Sequence, residues 1–426
     1  MRERIAHALL LIALFLLPWQ TRWIFGATPI EGGISEYGQF SIYVTQCLIL
    51  LVVLLRGRPH YPESFRWIIQ AGYFFLGVAF FSLGFTADFS VGLAHMLHVI
   101  FAFALFTVMC DVRTNIRQTA IAFVAGLLVP SLLGWWQVIT GSSGSSTWLG
   151  LAAKDTVTAG TAVVETTSGR MLRAYGSLPH PNILGGFLAV SLVILAWLVR
   201  FIHSRRTLLF SIVPVIFLSA TLIVTFSRSA WLGIAIGFLV LIGLMLFRRR
   251  LPPSRALPII ALGLLSVLST LGIFYQQVFS RVIADGRVEQ ISVVERTSQY
   301  SRFDDVFLPN PILGTGPGAY PFALARLDPG GQAWFYQPIH NTFFLILGEL
   351  GVIGAAALLY LLLRVDQVSS RSAKTAGGML GLCLGVVIIV IGFFDHYLWS
   401  LWPGLALSVF ALALIVRWSD RFFSEP

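Results

Sequence analysis

Apolar residues run in long unbroken stretches along the chain, separated by short polar interruptions. A hydrocarbon core needs about 20 consecutive apolar residues per crossing helix. Stretches of that kind lie near residues 5–25, 38–56, 66–86, 90–110, 116–139, 181–201, 207–225, 229–247, 257–276, 341–363, 376–394 and 398–417. They predict an all-α polytopic membrane protein with about twelve transmembrane helices, residues 1–426 forming a single transmembrane domain. The gaps near 87–89, 226–228 and 395–397 leave room only for tight helical hairpins. Two connections are long. The first, 140–180, opens on the Gly/Ser segment "GSSGSSTW", which has the composition of a flexible linker. In the second, 277–340, Val288, Ile291 and Val294 and then Tyr300, Phe303 and Phe307 recur at helical spacing. That spacing predicts two short amphipathic helices lying at the interface, the second stopped by Asn310-Pro311.

Composition agrees with this pattern: 57% of the residues are hydrophobic and 11% charged, against roughly 25% charged in soluble domains. A net charge of +10 raises two possibilities, a nucleic-acid partner or arginines anchoring cytoplasmic loops. Position decides between them. The connections "RGRPHYPESFR", "DVRTNIR", "RFIHSRR", "FRRRLPPSR" and "RVDQVSSRSAK", with both termini, hold 19 of the 29 Lys and Arg. They alternate strictly with a second set of connections whose short members are nearly free of Lys and Arg, the exception being Arg228. The positive-inside rule puts both termini in the cytoplasm and both long loops outside. Loop anchoring accounts for most of the charge, so no nucleic acid is expected. Arg2 and Arg4 before an apolar stretch could mark a signal peptide. The length of that stretch and the even topology favour a retained helix. Cys47, Cys110 and Cys383 are dispersed in apolar runs and form neither a disulfide framework nor a metal-ligand set.

Ionisable groups at a membrane edge are functional candidates. Five histidines, His95, His98, His180, His340 and His396, lie toward the outer side. So do Arg173, Arg228, Arg296 and Arg302, against the positive-inside trend. Arg228, in "TFSRSAW", sits in a hairpin of almost no length. Snorkelling at a helix end is the alternative reading, although snorkelling arginines belong mostly on the other face. Arginine binds phosphate through a planar fork and stays charged, and histidine can take a proton from a hydroxyl. Together they suit a phosphate-bearing lipid with its head group outside. Other motifs have blander explanations. His95 and His98, in "HMLH", read as polar packing, because no carboxylate or cysteine set joins them for metal binding. "GTGPGAY" lacks the Lys-Ser/Thr of a P-loop and reads as a sharp turn, with phosphate contacts the alternative. "HPN", His180 to Asn182, reads as a helix cap, and Asp395-His396 as an inter-helix pair or part of an acceptor site.

Four segments, "RAYGSLPHPNILGGFLA", "TFSRSAWLG", "ERTSQY…NPILGTGPGAY" and "HNTFFLILGELGVIG", resemble in order and spacing the O-antigen ligase and polymerase superfamily. The resemblance covers residues 170–360. It implies a metal-independent glycosyltransferase of the GT-C type, with no cofactor. The implied donor is an undecaprenyl-pyrophosphate-linked glycan, used at the periplasmic face of the bacterial inner membrane. The acceptor would be a lipid A-core or a growing glycan, and a protein hydroxyl is a further possibility. The family's two functional arginines fall on Arg228 and Arg296, the latter four residues before Tyr300, with Arg302 a rival to Arg296. Its histidine falls on His340, before Asn341. Arg173, His180, Asn341, Asp395 and His396 could complete the substrate site, and 277–340 would be the catalytic loop.

On this reading His340 accepts the proton of the attacking hydroxyl, while Arg228 and Arg296 hold the leaving pyrophosphate. The reaction is ligation or polymerisation, and the acceptor decides which. A non-enzyme alternative is a transporter for the same lipid. Transport would place polar sites near the midplane, but almost no charged residue falls in the middle of any run, and Glu349, about a third of the way into its helix, is the nearest exception.

Overall fold

The computed structural model describes residues 1–167, 169–283 and 287–419, except the side chains of Val288 and Glu289. The expected amphipathic role of Val288 and the placement of residues 420–426 therefore lie outside the described residues. The chain begins with α1 (Arg2–Phe15), β1 (Arg22–Ala27), β2 (Gln39–Tyr43), α2 (Val44–Arg56), α3 (Arg66–Ser82), α4 (Phe89–Cys110), α5 (Ile116–Gly126) and α6 (Leu128–Thr140). The first long connection carries two small antiparallel pairs: β3 (Ser142–Ser143) with β4 (Lys154–Asp155), and β5 (Val163–Thr166) with β6 (Gly169–Leu172). Then follow α7 (Pro181–Leu198), α8 (Arg205–Val224), α9 (Arg228–Phe247) and α10 (Ala256–Ile273). The second long connection holds α11 (Tyr275–Ile283), α12 (Arg287–Ser301), α13 (Phe303–Phe307) and α14 (Tyr320–Leu327). The chain closes with α15 (Thr342–Arg371), α16 (Ala376–Phe394), α17 (Tyr397–Ser400) and α18 (Trp402–Ser419).

Among the described residues, ten helices are long and apolar enough to cross a membrane, and they coincide with the last ten apolar runs. The first two runs differ from the expected twelve. α1 has 14 residues and α2 has 13, about 20 Å each at 1.5 Å per residue, short of a core about 30 Å thick. Other apolar residues of those runs, Trp23 to Phe25 and Phe40 to Tyr43, form the β1–β2 hairpin instead. Aromatic and β-branched side chains fit a pleated strand as well as a helix, and hydropathy alone does not separate the two. α5 and α6 count as one crossing, Ile116–Thr140, divided at Leu127. Pro130 lacks an N–H, and its ring crowds the carbonyl four residues earlier.

Burial orders the bundle. The best apolar windows of α7 and α18 are each 83% buried, whereas those of α9 and α10 are 17% and 22% buried. The first pair forms the centre and the second faces outward. The basic connections gather at one end. There Arg56 pairs with Glu3 at 2.9 Å, Arg113 pairs with Asp111, and Arg417 donates to the carbonyls of Asp111 and Thr114. At the other end lie the start of α15, the start of α9, the start of α7 and the Asp395-His396 connection.

α15 is broken at Gly351, whose φ of 64° leaves the helical region. The loop 311–318 satisfies the backbone groups freed by the break. Thr315 and Gly316 donate to the carbonyls of Gly348 and Glu349, and Val352 donates to the carbonyl of Pro311. Freed groups at membrane depth must find partners of this kind.

Candidate active site

The site is built around the start of α15. Asn341 is its N-cap, and Oδ1 accepts from the N–H groups of Phe343 and Phe344 at 3.0 and 3.1 Å. The cap sets where the helix begins and so fixes the half-buried His340 at its mouth. α12 lays one face across this turn. Arg296, Gln299 and Tyr300 stand at i, i+3 and i+4, neighbours on a helix surface. Gln299 Oε1 accepts from the His340 N–H at 3.1 Å and meets Nδ1 at 2.8 Å. The Tyr300 hydroxyl accepts from Asn341 Nδ2 at 3.2 Å.

His340 also meets His396 edge to face, with ring centroids 4.9 Å apart. His396 Nδ1 pairs with Ser400 Oγ at 2.7 Å, and Tyr37 packs edge-on against the same ring. Next to it, buried Asp395 ties three helices together. It accepts from Ser229 Oγ of α9 at 2.9 Å and from Asn182 Nδ2 of α7 at 3.0 Å, while its carbonyl accepts from Thr342 Oγ1 of α15. Asn182 in turn accepts from Arg173 Nη2 at 2.6 Å, and Arg173 Nε donates to the carbonyl of Thr225. His180 caps α7, its Nδ1 accepting from the Asn182 N–H, as the "HPN" motif suggested.

Arg228 opens α9 immediately after a left-handed turn at Phe226, whose φ is 49°. A bulky residue is costly there, and full burial of its ring holds the turn. The Phe226 carbonyl accepts from Arg281 Nε, and the Arg281 carbonyl accepts from Arg228 Nη1. Arg228 is thus fixed to α11 and sits one residue from Ser229, the partner of Asp395.

The structure separates the two rival arginines. Arg302 forms an ion pair with Asp328 and lies over the Phe335 ring. Arg296 faces His340, His396 and Asp395, and among the described residues its buried Nε has no hydrogen-bond partner. Its charge has a chemical consequence. Burial, then His396, Arg296 and His180, hold His340 well below the usual histidine pKa. Burial and Arg296 lower His396 to about 3. Burial, then Arg173, lower His180 as well. All three rings are neutral near pH 7. Burial raises the Asp395 pKa, opposed by Arg296 and by the bonds from Ser229 and Asn182.

Several motifs prove to have structural partners. His98 Nδ1 meets Gln46 at 2.7 Å, and His95 packs on Trp399. "GTGPGAY" is the loop that repairs the break in α15. Its Gly318 N–H donates to the Glu349 carboxylate at 2.7 Å, and Trp399 Nε1 donates to the same group at 2.6 Å. Those N–H groups are spoken for within the chain, and so is Glu349, the group nearest the midplane that the transport reading had singled out. In α12, Ile291 and Val294 are exposed, so the structure covers neither of these two expected apolar positions. Sequence reading missed Gln299, Ser229, Arg281 and Tyr37. Gln299 had a signal, its place three residues after Arg296 on a helical face. Tyr37 had none, because its approach to His396 joins residues far apart in the chain.

Comparison with known proteins bears on residues 213–359, which match the family model described as O-antigen ligase. The matched segment contains Arg228, Arg296, Gln299 and His340. No curated protein matches the chain. By this segment, about a third of the chain, the protein is similar to the O-antigen ligase family, which supports the resemblance read from the sequence motifs.

Proposed function

We propose that the protein transfers a glycan from an undecaprenyl-pyrophosphate carrier to an acceptor hydroxyl at the periplasmic face of the inner membrane, as an O-antigen ligase acting on a lipid A-core acceptor. The observation that carries this reading is the meeting of a neutral His340 with Arg296, beside the Asp395 network that reaches Ser229 and its neighbour Arg228. The family match supplies the reaction class.

The chemistry follows from these groups. His340 takes the proton of the acceptor hydroxyl as its oxygen bonds to the anomeric carbon. The bond from that carbon to the pyrophosphate oxygen breaks, and its electron pair leaves with the carrier. Arg228 and Arg296 bind the pyrophosphate and stabilise the charge that develops on it. Asp395, Asn182 and Ser229 hold the cationic cluster in place. Displacement from the opposite side inverts the anomeric centre. A positioned base contributes roughly 10²–10⁴ in rate, and one preorganised charge-stabilising donor about 3 kcal/mol. Pyrophosphate is already a good leaving group, so the step calls on no metal. An apolar groove of ≈ 150 Å³ runs beside α15 from Thr342 to Val365, lined by Phe75, Phe103, Phe343 and Trp399 among others. Its position suits the first isoprene units of the carrier, with the head group at His340.

A deletion strain examined by glycolipid gel tests the reaction. Ligation predicts an acceptor lipid without long chains while polymer remains on the carrier. A single repeat left on the acceptor would mean polymerisation instead. Unchanged glycolipids would remove both.

A further inference from the structure

The geometry points to Gln299 as the positioning residue that sets which nitrogen of His340 acts as base, an inference that rests on the proposed transfer reaction. Two contacts converge on one atom. The backbone N–H of His340 lies 3.1 Å from Gln299 Oε1, and the His340 ring Nδ1 lies 2.8 Å from that same oxygen. A backbone N–H can only donate. The amide atom facing it must therefore be the carbonyl oxygen, which removes the usual ambiguity of a glutamine side chain. An oxygen with two lone pairs then accepts twice, and the second donor is Nδ1–H. In a neutral imidazole one nitrogen carries the proton and the other the lone pair. With Nδ1 protonated, the lone pair lies on Nε2, and among the described residues no protein group hydrogen-bonds that nitrogen.

The neighbouring contacts hold Gln299 in register. Tyr300, next along α12, is bonded to Asn341, and Asn341 caps α15. The glutamine and its histidine are thus anchored to each other by consecutive pairs, 299 to 340 and 300 to 341. The arrangement does the work of the carboxylate that orients a catalytic histidine elsewhere, with one difference. A neutral amide leaves the histidine pKa low, whereas a carboxylate would raise it. In a site crowded with arginines, an amide orients the ring and keeps it unprotonated.

The test uses full-length protein in nanodiscs, with histidine side chains labelled with nitrogen-15. His340→Gln assigns the resonance, and an undecaprenyl-pyrophosphate-linked glycan with a lipid A-core acceptor serves as the kinetic probe. In the wild type His340 should show a protonated Nδ1 and an unprotonated Nε2. Gln299→Leu should mix the tautomers and lower kcat by about 10- to 100-fold, the scale of losing the group that orients a functional histidine, with KM for the donor little changed. Gln299→Glu keeps an acceptor oxygen. It should preserve the Nδ1–H tautomer, recover most of kcat at alkaline pH and move the acidic limb of the pH profile upward. An unshifted tautomer in Gln299→Leu overturns the inference and leaves the proposed reaction standing. A shifted tautomer with unchanged kcat overturns it through its premise, since His340 would then not be the base.

Discussion

His340 is kept neutral by its surroundings, and this makes its protonation the first thing to measure. Burial and the nearby cation Arg296 hold its pKa below the usual value, about 6.5. A base works in its neutral form, so kcat/KM should stay level as pH falls through about 6.5 and decline only below it. Arg296→Gln removes the cation and should move that limb toward neutrality, besides weakening donor binding. A limb that does not move in this variant would separate Arg296 from His340. The sign for stability is the same. Below about pH 6.5 the unfolded chain protonates histidines that the fold keeps neutral, so stability falls as pH drops. Arg228 makes a separate prediction. Lysine keeps the charge but loses the planar fork, so Arg228→Lys should lose at least about tenfold in transfer at normal protein levels. Wild-type activity in that variant would reduce Arg228 to a snorkelling side chain.

At the level of elements, the break in α15 is the feature that hydropathy could not reveal. The sequence reads as one apolar run through Glu349 and Gly351, while the structure stops the helix there and mends it with the 311–318 loop. Gly316 shows how closely the loop fits. Its φ is 90°, and a Cβ at this position would lie 2.3 Å from Thr86. Glu349→Leu would strand the Gly318 N–H and the Trp399 indole N–H. Unsatisfied buried groups cost about 1–3 kcal/mol each. The yield of folded protein should therefore drop sharply, while Glu349→Gln, which keeps an acceptor oxygen, should be milder. Equal yields of the Leu variant and the wild type, scored by fluorescence-detected size exclusion, would contradict this role. Long apolar periods were legible, and so was the cap at His180, because each is a local pattern. The β1–β2 hairpin, the α15 break and the packing of α12 against His340 were not. Each depends on pairing between distant residues, and one-dimensional hydropathy carries no record of that.

For the whole molecule, the segregation of basic connections to one end and the arginine–histidine cluster to the other connects the fold to the proposed reaction. The positive-inside argument puts the basic end in the cytoplasm, with position 250 there and position 330 outside. Single cysteines at these positions in a cysteine-free background should react with an impermeant reagent in intact spheroplasts only at 330. Labelling at 250 and not at 330 would invert the topology and remove the site from its donor.

The central claim is that His340 is the proton acceptor in glycan transfer. Its most direct test is an in vitro assay with purified protein, carrier-linked glycan and lipid A-core acceptor, comparing wild type with His340→Gln at matched protein levels. Glutamine can hydrogen-bond but cannot carry the proton at neutral pH. The account predicts retained donor binding and transfer lowered by about 10²-fold or more; full transfer by the glutamine variant would contradict it.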